Sequence, residues 1–160
     1  MLIFFCPNCW SQVKEDEKIC PKCYSEIEAL GQRSYIDRLV SALRHPWAST
    51  RMEAAYILGE IGDKQAVKPL GDVIDQIGET QDLFFLREIA IALGKINGDE
   101  AVPALVHLLD HRSFLIRKTA LQSLPRGKNK LVMVAVKKAL SDPSSTVREL
   151  AREFLEKNSE

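Results

Sequence analysis

The residues best suited to chemistry are four cysteines, all within the first 23 positions of a 160-residue chain. They form two Cys-x-x-Cys pairs, Cys6-Pro7-Asn8-Cys9 and Cys20-Pro21-Lys22-Cys23, with ten residues between them. This is the ligand spacing of a structural zinc site: each tight turn aims two thiolates at one point, and two turns complete a tetrahedron. A closed shell of four thiolates leaves no position for water or substrate. One zinc held by Cys6, Cys9, Cys20 and Cys23 is therefore expected to be structural. Disulfides and a redox pair are the alternatives; a reducing compartment argues against the first and the doubled motif against the second. A segment this short buries too little apolar area to fold alone, and metal binding supplies the missing free energy.

Other candidate chemistry is sparse. There is no nucleophile-elbow motif, phosphate loop or dinucleotide glycine pattern, and an enzyme is not expected. Charge is uneven under a formal net of zero. Residues 1–31 hold three basic and five acidic side chains, residues 32–110 eight and twelve, and residues 111–160 eleven and five. The excess concentrates in 111–141, where Arg112, Arg117, Lys118, Arg126, Lys128, Lys130, Lys137 and Lys138 occur without any Asp or Glu. Such a segment either steers an acidic partner or phosphate, or is an ordinary solvated face. Arg112, Lys118, Arg126, Lys128 and Lys130 are the candidate partner-binding residues. An acidic protein partner is favoured over nucleic acid, because no aromatic residues interleave to stack bases; Phe114 stands alone.

The elements that must carry these groups are helical. Ile36, Leu39, Val40 and Leu43 fall at i, i+3, i+4, i+7, as do Val147, Leu150, Ala151, Phe154 and Leu155 near the end. Between them the chain repeats itself. Arg51 to Gly59 superimposes on Leu86 to Gly94, Arg117 to Pro125 and Arg148 to Glu156, which aligns leucines 58, 93, 124 and 155 at intervals of 35, 31 and 31 residues. Ala66-Val67-Lys68-Pro69-Leu70 superimposes on Ala101-Val102-Pro103-Ala104-Leu105, and the four extra residues of the first interval belong near Gln76 to Gln81. Four two-helix units then fit between residues 34 and 157. One such pair cannot bury its apolar face, whereas stacked pairs share a continuous core. The run Leu131 to Val136 has the composition of a buried strand, and only its place in the repeat makes it a helix. Ala54, Ile89, Ala120 and Ala151 share one repeat position, which predicts close helix packing there. His45-Pro46 and Asp142-Pro143 read as a helix N-cap followed by proline at the first helical position. His45 and His111 are thus expected in turns, and His107 on an exposed face.

Two resemblances sharpen this reading. The first 30 residues resemble the short zinc-ribbon family, whose halves read Cys-Pro-x-Cys-Gly, except that Trp10 and Tyr24 stand in place of glycine. Residues 34–157 resemble the short HEAT-like repeats of the phycobilisome-lyase family, through Ala54-Ala55, Leu58-Gly59, Ile61-Gly62-Asp63 and Ala101 to Leu105. Departures are Thr50 for valine, Leu86 at the arginine place and Pro125 for glycine. The resemblance implies a right-handed, all-α solenoid of about four HEAT-like helix pairs, with Arg51, Arg117 and Arg148 bonding the turns that stack the repeats. It also argues against the di-iron hydroxylases built on such repeats, since none of the three histidines is followed by glutamate. The expected organisation is a zinc ribbon over 1–30 and a solenoid over 31–160. The expected function is a protein–protein interaction scaffold, with nucleic-acid binding through the basic third repeat (112–138) as the alternative. Met1-Leu2-Ile3-Phe4-Phe5 is short and lacks a basic leader, and no apolar run approaches the roughly 18 residues that cross a bilayer. A cytoplasmic location without membrane partners is therefore expected.

Overall fold

A computed structural model describes residues 4–6, 8–14, 17–27, 34–77, 82–127 and 129–158. The chain opens with two short strands, β1 (Phe4–Phe5) and β2 (Gln12–Val13), paired antiparallel with Phe4 opposite Val13 and Phe5 opposite Gln12. They hold the first cysteine turn. The expected boundary near residue 30 lies outside the described residues.

Among the described residues eight helices follow: α1 (Tyr35–Ala42), α2 (Ala48–Ile61), α3 (Val67–Ile77), α4 (Leu83–Ile96), α5 (Val102–Leu108), α6 (Phe114–Ser123), α7 (Lys130–Ala139) and α8 (Ser145–Lys157). Short 3-10 turns, Lys64–Ala66 and Asp99–Ala101, lead into α3 and α5. The arrangement is an all-α solenoid of four pairs. Odd-numbered helices form one layer and even-numbered helices the other. Leu131 to Val136 is helical, as its place in the repeat predicts. Of the insertion expected near Gln76 to Gln81, Gln76 and Ile77 extend α3, and 78–81 lie outside the described residues.

Local signals account for the breaks. Ser34 caps α1 by accepting from the Asp37 N–H, and Gly62 ends α2 in the left-handed conformation at φ 71°. Asp82 caps α4 through the Phe85 N–H, and Asn129 caps α7 through Leu131 and Val132. The expected caps at His45 and Asp142 are corrected: the caps are Trp47 and Ser144, and both prolines precede their helices. His45 Nδ1 accepts from the Trp47 N–H at 3.1 Å, and Asp142 Oδ1 from the Ser144 N–H at 2.8 Å. These side chains close the turn before the helix, so the first helical position falls two residues later than proline suggests.

One core runs the length of the stack, from Leu39 and Leu43 to Phe154. Ala54, Ile89, Ala120 and Ala151, the shared repeat position, are all buried in it. The even layer is the tighter one. A Cβ on Gly59 would lie 2.8 Å from Ala92 Cα, and one on Gly94 2.8 Å from Ser123 Cβ. Small residues here let α2 approach α4, and α4 approach α6, backbone to backbone. In the third unit Pro125 takes the glycine place, α6 stops at Ser123, and the Arg126 guanidinium stacks 4.4 Å from the ring centre of the buried Phe154.

Candidate functional site

The two cysteine turns are built alike. The Trp10 N–H donates to Cys6 O at 2.8 Å and the Tyr24 N–H to Cys20 O at 2.9 Å, while the Cys6 and Cys20 N–H groups reach Ser11 O and Ser25 O, both at 2.9 Å. The turns face each other, so that Cys6 and Cys23 Sγ stand 3.6 Å apart, as do Cys9 and Cys20 Sγ. All four sulfurs lie within 4.8 Å of one another. A tetrahedron of sulfurs about 2.3 Å from zinc has edges of about 3.8 Å, so the donor set fits that ion. The spacing is far too long for a disulfide, which needs about 2.05 Å.

Electrostatics favour the same occupant. Burial pushes the Cys6 thiol up to about 12. The Ser11 hydroxyl draws Cys20 down, and the Ser25 hydroxyl brings Cys23 down to about 5. Ser11 Oγ lies 3.0 Å from Cys9 Sγ and 3.3 Å from Cys20 Sγ, positioned to donate to thiolates. A divalent cation at the centre offsets the cost of ionising the buried Cys6. These hydroxyls escape a reading that stops at the four ligands. Their signal was a repeated dipeptide: each Cys-x-x-Cys is followed by an aromatic residue and then serine.

The aromatic residues at the glycine places sit in left-handed backbone, Trp10 at φ 58° and Tyr24 at φ 57°. Trp10 has a structural role. Its Nε1–H donates to Ser41 O at 2.8 Å in the last turn of α1, and its ring stands edge-on to His45 and packs against the solenoid core. Tyr24 is 80% exposed, and nothing in the structure explains it.

Along the solenoid, arginines and acids join one repeat to the next. Arg51 Nη1 donates to His45 O and Pro46 O, Arg117 Nη1 to His111 O and Arg112 O, and Arg148 Nη1 to Asp142 O and Pro143 O. Arg51 also reaches Asp82 at 3.0 Å, and Arg117 grips Asp142 through Nε and Nη2 at 2.7 and 2.8 Å. The Arg117–Asp142 pair is about one-tenth exposed. Its hydrogen bonds hold Asp142 below the usual carboxylate value and raise Arg117. Leu86 stands at the equivalent arginine place, and there His111 replaces the acid, so both members of the link differ together.

The candidate basic residues are not brought to one place. Arg112 lies in the turn before α6 and Lys118 is half-buried on it, whereas Arg126 and Lys130 lie beyond its far end; a ten-residue helix separates the groups by about 15 Å. Arg126 is occupied by Phe154, donating to its carbonyl at 3.2 Å. Lys138 pairs with Asp110 at 2.6 Å. Lys128 lies outside the described residues. His107 is exposed as expected, 3.4 Å from Asp75. No helix among the described residues is long and apolar enough to cross a membrane.

Comparison with known families agrees with this architecture. Residues 80–156 match the family described as HEAT repeats, and residues 50–76 match the PBS lyase HEAT-like repeat. No curated protein matches the chain. Residues 50–76 and 80–156 are thus similar to HEAT-like repeats, a kind of unit that generally mediates protein–protein contacts.

Proposed function

We propose that this chain is a protein-interaction adaptor: a HEAT-like solenoid whose first repeat is capped by a structural zinc knuckle, without catalytic activity. The observation that carries the reading is the use made of its ionisable side chains. The buried ones, Arg117 and Asp142, join repeats, and Arg51 and Arg148 bond turns. Exposed pairs do likewise: Lys64–Glu100, Lys95–Glu60 and Lys138–Asp110 each connect successive repeats. These charged groups serve the stack, and what remains is an extended surface suited to another macromolecule. The knuckle, with a closed donor set and Trp10 seated on α1, adds a rigid end to that surface.

Nucleic-acid binding is the rival. The split of the basic residues across the two ends of α6 weighs against it, because phosphate contacts depend on a continuous track of cations. Gel shift with mixed nucleic acid at two salt concentrations, beside affinity capture from the native cell, tests the choice. Saturable capture of a protein with no nucleic-acid shift is the expected outcome. A shift that weakens steeply with salt, in the absence of any captured protein, overturns the proposal.

A further inference from the structure

Successive odd-numbered helices leave troughs between them, and the one between α5 and α7 measures about 540 Å³. Its walls carry two i, i+3 pairs: Val106 of α5 with Leu109 at its C-cap, and Leu131 with Val134 of α7. Val134 is 67% exposed and Leu131 45% exposed, so neither serves the core. Internal comparison makes them more unusual. Leu131 stands where the two preceding repeats have Glu100 and Gln65, and Val134 where they have Pro103 and Lys68. Of these three repeats, that of α7 alone is aliphatic at both places.

Its charge is also distinctive. Helical spacing places Lys130, Lys137 and Lys138 around Val134 on the outer face of α7. Both acids that line the trough are engaged, Asp110 by Lys138 and Asp142 by Arg117, which leaves the exposed Arg112 as surplus positive charge on the opposite rim. Parallel aliphatic ridges under a cationic rim complement one kind of ligand. A helix supplies side chains at i, i+3 and i+4 to interdigitate with such ridges, and acidic residues on its flanks meet the lysines.

We infer that the trough between α5 and α7 docks an acidic amphipathic helix of a partner protein. The inference rests on the protein-interaction reading and names the surface and the ligand chemistry within it. Apolar contacts with Leu131 and Val134 hold the helix, and the lysines orient it and hasten encounter.

The test is fluorescence anisotropy of the full zinc-loaded chain with a labelled synthetic helix of about eighteen residues, leucines on one face and glutamates on the other. A peptide with lysines replacing the glutamates and a scrambled acidic peptide are the controls. The acidic amphipathic peptide is expected to bind saturably and more tightly than either control. Leu131→Ser with Val134→Ser should weaken it about tenfold or more, as loss of buried aliphatic area demands. Phe84→Ser, an exposed apolar change on α4, should leave it unaltered. No saturable binding, equal binding of the lysine peptide, or indifference to the double substitution overturns the inference. So does concentration-dependent dimerisation abolished by the double substitution, which would assign the trough to a second copy of this chain. If the double variant still captures its native protein partner, the trough assignment fails while the adaptor reading stands. If the parent chain captures no protein, the adaptor reading fails with it.

Discussion

The indole of Trp10 stands edge-on to the imidazole of His45, ring centres 4.5 Å apart, and its N–H is bonded to Ser41 O. Through these contacts a segment that precedes the solenoid is fastened to its first repeat. Trp10→Gly relieves a left-handed backbone conformation but removes this seat. The variant should still bind one zinc while the helices melt several degrees lower, the shift expected of about 1–2 kcal/mol in a domain of this size. An unchanged melting temperature would mean that the knuckle is merely tethered. Tyr24→Gly, which removes the same strain and no contact, should be neutral or slightly stabilising.

Purified protein should carry about one zinc per chain, as four thiolates around one ion require. Cys20→Ser is expected to abolish tight binding and to unfold the knuckle, with most helical circular dichroism retained, because solenoid repeats depend on their neighbours. Metal should be released as pH falls, since each thiolate must stay unprotonated to ligate. Metal analysis and reaction of the thiols with a chromogenic disulfide, followed across pH, check both statements.

Asp142 contributes to stability through its ionised form. Its folded value is held below the ordinary 3.8, chiefly by the Arg117 side chain. The contribution is therefore fully present above that ordinary value and is lost as pH drops through the depressed one. Asp142→Ala leaves Arg117 partly buried without its partner and should cost about 3 kcal/mol. It should also flatten the acid limb of a plot of denaturation midpoint against pH. A variant with the parent's acid limb would show that other carboxylates govern it.

Gly94→Ala places a methyl carbon 2.8 Å from Ser123 Cβ and 3.0 Å from the Ser123 backbone, so the α4–α6 contact must open. A cost of about 1–3 kcal/mol is expected for such overpacking, measured by urea denaturation. Gly71→Ala is the control, since its new carbon would meet only Ala104 Cβ at 3.8 Å.

Periodic features were legible without coordinates. The helix pairs, the buried position shared by Ala54, Ile89, Ala120 and Ala151, and the turn-bonding arginines each recur, and recurrence is what a sequence displays. The four ligands were legible because thiolate geometry fixes their spacing. Trp10 was not: its partners Ser41 and His45 are 31 and 35 residues distant, and the contact itself is not part of the repeating pattern. The basic segment misled in a different way. Closeness along the chain says nothing of which end of α6 a side chain occupies, and α6 puts Arg112 and Lys130 at opposite ends. Leu131 and Val134 read as candidate strand or core until their exposure is known.

The glycine contacts give the stack a mechanical asymmetry. With Gly59 against Ala92 and Gly94 against Ser123, α2, α4 and α6 already pack too closely to be compressed further. The odd-numbered helices are separated by open troughs, which leave room for their spacing to change. Such a rod is expected to behave as a spring with one stiff edge. It should bend chiefly in the plane that varies trough width, and a helix docked between α5 and α7 would alter the curvature there.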